Sequence, residues 1–329
     1  MPPYVTRSLL IRPRSRFLHC LVMLTAFISA CSHGLTVAES PALSPEAQAL
    51  LEQTEVTARR GVFFEVTGDK GRAYLFGTIH VGKPEFYPLR MAVTRGMVSS
   101  RYVAVEADIL NREQAARQVT EFALYPGSET LDQHIAPELV GRVKALLAMY
   151  DVPMDGAMKM RPWMLGMTLT ILDTLQAGYD PGYGADVFVM GFAKGRKKPI
   201  VELESLAQQF SIFNGLAPEE QEAFLEASVA GIEDGSSRAM VNALVAAWAA
   251  GDTAEVVKIV RQDPLLHSPT FKPVYEKLVI RRNVAMADHI EGYLKSGEQY
   301  FVAVGILHLL GEGSVVSLLA ERGYTIRER

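Results

Sequence analysis

The stretch YLFGTIHVG, residues 74–82, decides how this chain is read. Aromatic and apolar side chains run into Gly77, and His80 follows three positions later. Such a run has strand character, and a glycine inside it marks a sharp turn or the close approach of another backbone. Just upstream, GVFFEV precedes the turn residues GDKG at 68–71, so residues 61–82 read as two strands joined by a tight turn. The phrase returns near the other end as YFVAVGILHLLG, residues 300–311, where Gly305 precedes His308 by the same interval.

Other apolar runs also end in polar groups. YVAVEAD, residues 102–108, is apolar until Glu106, as expected of a strand covered on both faces. KPIVELE, residues 198–204, delivers Glu202 and Glu204. Helical spacing fills the intervals, for example PELVGRVKALLAMY (137–150), RPWMLGMTLTILDTLQAG (161–178) and GADVFVMGFAKGRK (184–197). It continues through residues 205–295, and GEGSVVSLLAERGY (311–324) is a last helix before a short strand, TIRE. Strands alternating with helices predict an α/β fold. Its centre is a mixed, partly parallel sheet with His and Glu at strand C-terminal ends, and a large helical subdomain is inserted between the strands.

The chain has 329 residues, 49% hydrophobic and 21% charged, with a net charge of -4. That is ordinary globular composition. Nothing in it resembles the basic footprint of a nucleic-acid binder, and the cluster KGRKKP at 194–199 reads as a solvated loop. The N-terminus differs in kind. Arg7, Arg12, Arg14 and Arg16 precede the uncharged run FLHCLVMLTAFISAC, residues 17–31, too short to span a bilayer. A positive region, a short apolar core and small residues read as a secretory signal. The ending ISAC resembles a lipobox, with Cys31 the lipidated first residue of a mature lipoprotein. Ordinary cleavage after TVA, before Glu39, is the competing reading, and an uncleaved anchor is a third. Residues 1–30 are thus expected to be a signal peptide and the protein to be exported, in the periplasm or on the cell membrane through its lipid. Residues 31–60 form a tether with a short helix, N-capped by Ser44 with Pro45 at its first position, and residues 61–329 the domain. The only two cysteines, Cys20 and Cys31, fall in or beside the leader, so the domain has no disulfide to form.

In open α/β sheets ligands gather beyond the carboxyl ends of the strands. Parallel neighbours ending in His80, Glu106, Glu202, Glu204 and His308 would place two imidazoles and carboxylates around one crevice. Two His and a carboxylate form a common catalytic metal set with positions left open. The bland readings are a hydrogen-bonded rim histidine and a structural ion pair at Glu106. There is no G-x-S-x-G elbow, no H-E-x-x-H helix and no P-loop. GEGSVV lacks the third glycine of a dinucleotide fingerprint and reads as a helix entry.

Five blocks carry a family likeness: YLFGTIHVGKPEFYPL, VAVEAD, GYGADVFVMGFAKGRKKPIVELESLAQQFSIF, RRNVAMADHI and YFVAVGILHLLGEGSVVSLLAERGYTI. From about residue 60 onward the chain resembles the TraB/GumN family, marked by two G-x-x-H motifs and a glutamate. The resemblance places it with the Tiki proteins, metal-dependent proteases acting on Wnt, and more distantly with the erythromycin esterase and ChaN-like folds. It implies a metal-dependent, peptidase-like hydrolase of the cell envelope. His80 and His308 would bind a divalent ion (Mn, Co, Fe or Zn), with Glu106 a ligand or a general base. Asp186 of GAD, Glu204 of the LES block and Arg282 of the RN block would orient metal, water or a peptide or small-molecule substrate. Gln209 and Asn283 fall in the same blocks, Gln209 reading as a packing or capping residue. Ile306 departs from the family's usual small residue. The alternative is a non-catalytic envelope protein that binds a peptide or an iron compound on the same scaffold, and the GumN name alone suggests a third role in polysaccharide export.

Overall fold

The turn residues GDKG close a hairpin. β1, Val62–Thr67, pairs antiparallel with β2, Arg72–Thr78, from Val62 opposite Gly77 to Thr67 opposite Arg72. The Gly68 N–H donates to the Gly71 carbonyl at 3.1 Å across the turn. This computed structural model describes residues 61–262 and 271–329; the expected signal segment, Cys31 and the Ser44-capped helix lie outside the described residues.

Four further strands complete one six-stranded mixed sheet: β3, Tyr102–Val105; β4, Ile200–Glu202; β5, Gln299–Gly305; and β6, Thr325–Glu328. Their order is β4-β3-β5-β2-β1-β6. β4, β3, β5 and β2 run parallel to one another, while β1 is antiparallel to both β2 and β6. The two glycine–histidine phrases therefore sit on adjacent strands in matched register, with Gly77 opposite Val304 and Thr78 opposite Gly305. The glycine in the first phrase has a visible cause: a Cβ at Gly77 would lie 3.3 Å from the Ile306 Cα, where the chain leaves β5. The expected strand TIRE is β6, added to the outer edge of β1.

Side chains of the inner strands β1, β2, β3 and β5 are buried on both faces. Phe63, Phe76 and Phe301 pack with ring centroids 6.0–6.5 Å apart, and Trp248 meets Phe76 edge-on at 6.4 Å. Each fully buried ring of this kind contributes about 1.5–3 kcal/mol. Trp248, on the helix Ser236–Ala250, also donates its indole N–H to the Gly77 carbonyl at 2.8 Å. One side chain thus fills the core and fixes the end of β2 from which His80 projects.

A second apolar cluster lies among the helices between β3 and β5. The helices Pro137–Met149, Pro162–Gln176 and Pro218–Glu233 contribute Leu147, Trp163, Leu169 and Leu225 to it. Trp163 stacks on Phe213 with ring centroids 5.0 Å apart. Among the described residues no helix is long and apolar enough to cross a membrane.

Candidate functional site

Glu106 follows β3 directly, and its carbonyl accepts from the Glu204 N–H at 2.9 Å, just past the end of β4. The pairing of β3 with β4 therefore brings two carboxylates side by side. Arg282 joins them: its Nη2 donates to Glu106 Oε2 at 2.7 Å and its Nε to both Glu204 oxygens at 2.9 and 3.0 Å. The arginine stands at the start of the helix Arg281–Ser296, just after a wider π-type turn, Glu276–Ile280. Such turns re-aim a side chain, often at functional sites. Gln209 Nε2 also donates to Glu106 Oε2, at 3.1 Å, so it belongs to the site rather than to packing or capping.

The second glycine–histidine phrase meets Glu106 from the next strand. The Gly305 N–H donates to Glu106 Oε1 at 2.6 Å. His308, on the short helix Ile306–Leu309, sets its Nε2 at 3.8 Å from the same oxygen. Its other nitrogen, Nδ1, pairs with the Asn283 side-chain oxygen at 2.7 Å. That bond requires the proton on Nδ1 in a neutral ring and leaves the Nε2 lone pair facing Glu106.

His80 approaches from β2. Its Nδ1 donates to Asp186 Oδ2 at 2.8 Å. Asp186 lies in the first turn of the helix Ala185–Gly195, where the helix dipole favours an anion, yet it spends its carboxylate on His80 and caps nothing. Gly184 makes the approach possible, since a Cβ there would lie 2.5 Å from Asp186 Oδ1 and 2.9 Å from the His80 carbonyl oxygen. That Oδ1 is buried without a hydrogen-bond partner.

All three groups ring one spot. A methyl group on Gly305 would stand 3.2 Å from Glu106 Oε1, 3.6 Å from His308 Cδ2 and 3.9 Å from His80 Nε2. Of the residues singled out in the sequence, His80, Glu106, Asp186, Glu204, Arg282 and His308 gather here. Glu202 does not: its Oε1 accepts from the Asp108 N–H at 2.7 Å. Asn283 is 1% exposed and acts behind His308. Its position beside Arg282 in the RN pair is the signal that could have placed it.

The electrostatics separate the two imidazoles. Burial works against charge on His80, but the Asp186 carboxylate outweighs it and pushes the ring up to about 9. With 59% of that side chain open to solvent, water screens part of the pull, so the direction is what matters. His308 goes the other way, down to about 4, because burial disfavours its cation more than Glu106 favours it. Burial also opposes a charged Glu106, yet His308, Arg282, His80 and the Gly305 N–H bring it down to about 2. With His308 neutral, Arg282 and the protonated His80 are the cations that hold Glu106 ionised.

Two imidazoles and one ionised carboxylate suit a divalent ion in type; His308 is neutral with Nε2 free, whereas His80, held protonated by Asp186, would give up its Nε2 proton on binding. The Asp186 and Asn283 bonds to the Nδ1 atoms are the outer-shell contacts that ligand histidines make. In distance the set is open. Among the described residues no group of three or more His, Cys, Asp or Glu is closed around one point as a metal cage. The 3.8 Å from His308 Nε2 to Glu106 Oε1 exceeds the about 3.4 Å between ligands of a tetrahedral ion. The residues match such an ion in donor type and not in the arrangement seen here.

A model of the TraB/PrgY/gumN family matches residues 62–328. Over 247 residues the chain is 24% identical to a protein of Shigella flexneri named "Uncharacterized protein YbaP", covering 75% of this chain and 87% of that relative. The protein of the same name from Escherichia coli (strain K12) is 24% identical over 246 residues, with the same shares covered. No solved structure matches at a significant level.

Proposed function

The chain belongs to the TraB/PrgY/gumN family, and on that footing we propose that it is a metal-dependent hydrolase, peptidase-like, in the cell envelope. One observation carries the reading: His80 and His308 are each fixed through Nδ1, and both rings and Glu106 Oε1 lie within 4 Å of the position a Gly305 Cβ would take. His80, His308 and Glu106 would hold the ion (Mn, Co, Fe or Zn). A bound ion of this kind lowers the pKa of its water and polarises a carbonyl.

The chain's own groups divide the remaining work. Arg282 and the Gly305 N–H hold Glu106 ionised, which suits it either as a ligand or as the general base acting on bound water. Arg282 and Gln209 both bond its Oε2, which leaves Oε1 toward the two histidines. Arg282 also keeps Glu204 from repelling Glu106. Asp186 and Asn283 set the orientation of each imidazole.

Metal content of the purified full chain tests this directly. The native protein should carry about one ion, and His80→Ala or His308→Ala should lose it. Glu106→Gln should abolish metal-stimulated peptide cleavage while leaving the circular dichroism spectrum unchanged. Unaltered metal content in both histidine variants would end the proposal.

A second reading has its own support. Glu106 is already matched by Arg282 and the ligand set is not closed, which also suits a non-catalytic binder of a peptide or iron compound. Metal binding without hydrolysis of any member of a peptide library would favour it. Export follows from the leader-like N-terminus, with Cys31 as the lipid-bearing residue. Labelling with a radioactive fatty acid should mark the chain, and Cys31→Ser should remove the label.

A further inference from the structure

Beside the cluster lies a cavity of about 180 Å³ whose chemistry changes along its length. One end carries His80, Glu106, Asp186 and Gln209. The other is lined by Ile109, Ala115, Val119, Met167, Ile171 and Phe210, with no charged group among them. His80 and Glu106 stand at strand ends, Asp186 on the helix Ala185–Gly195 and Gln209 on the helix Leu206–Asn214, which also carries Phe210; Met167 and Ile171 project one turn apart from the helix Pro162–Gln176. Met167 and Ile171 are only half-buried; Met167 also packs against the helical core.

We propose that this cavity receives one apolar side chain of a peptide ligand, from leucine to phenylalanine in size, with the adjoining peptide bond at the His80–Glu106 end. The inference rests on the hydrolytic reading only for what happens to that bond. Size and lining argue for the occupant: an apolar cavity of about 150 Å³ takes up benzene. A charged side chain would lose its hydration there with no partner at the apolar end. A ligand site of this type, mostly apolar with a few convergent polar groups at one end, fixes orientation as well as identity. The apolar residues thus choose the ligand, while the polar cluster faces its peptide bond.

The test needs no turnover. The full chain is titrated with N-acetyl-leucinamide, N-acetyl-phenylalaninamide, N-acetyl-glycinamide and N-acetyl-lysinamide, followed by calorimetry or saturation-transfer NMR. The leucine and phenylalanine amides should bind at least about tenfold more tightly than the glycine and lysine amides, the value expected for burying a side chain of that size. Ile171→Ala should shift the preference toward phenylalanine and Ile171→Phe toward smaller side chains, which loss of stability alone would not do. Equal binding of the four amides overturns the proposal on the native protein, without reference to any variant. Graded binding that neither Ile171 change alters overturns it as well. Apolar preference in binding with no cleavage of any library peptide leaves this inference standing and removes the hydrolytic reading alone.

Discussion

Replacing Arg282 by methionine should expose how the site is held together. The guanidinium donates to Glu106 and to both oxygens of Glu204 at 2.7–3.0 Å, and the three side chains are 14%, 16% and 9% exposed. Methionine keeps much of the volume and removes the charge, leaving two buried carboxylates side by side. Removing one partner of a buried pair costs about 3–5 kcal/mol, so Arg282→Met should lose that much stability in urea denaturation at pH 7. Burial already raises Glu204 above its usual value. Without the arginine both carboxyls should be raised in the folded protein, which then binds protons that the unfolded chain releases. Stability of the variant relative to the native protein should therefore recover as pH falls from 7 toward 5. Adding Glu204→Gln should restore about 1 kcal/mol or more at pH 7 through the lost repulsion. A loss below about 1 kcal/mol, or one that does not vary with pH, would refute the claim that Arg282 holds two charges in place.

Other contacts give sharper local outcomes. Asn283→Ala leaves the buried Nδ1 of His308 without its partner; it should cost about 1–3 kcal/mol in denaturant melts and lower metal affinity about 10–100-fold in competitive titrations. Gly82→Ala would set a Cβ 2.0 Å from the Tyr183 carbonyl oxygen, so the loop carrying His80 must move, and the melting temperature should fall by several degrees. Trp248→Phe removes the indole bond to Gly77 and should lose about 1–3 kcal/mol in urea while raising hydrogen exchange at the end of β2.

Reading from residues went far where one residue type decides the structure. Apolar runs located the sheet, GDKG located the hairpin, and Gly77 marked the crossing of Ile306. Glu106 stood out because a carboxylate ends an otherwise apolar run. Glu204 stood at the end of the run KPIVELE in the same way. Asp186 and Arg282 carried no such local signal; they entered through the family likeness, since each depends on which element packs beside its helix. Gln209 and Asn283 show the limit most plainly. An amide reads as a capping or packing group until its partner is known, and the partners, Glu106 and His308, lie far away in the chain. Glu202 fails for a related reason: residues 202 and 204 are close in sequence, but only Glu204 reaches Arg282.

The pairing of β2 with β5 has a bearing on how the protein comes into being. Because His80 and Glu106 emerge early from the ribosome and Gly305 and His308 almost last, no nascent chain contains an assembled centre until synthesis is nearly over. A stop codon anywhere in the long helical middle yields a product with half a sheet and half a site, so truncation alleles should behave as complete losses rather than weakened forms.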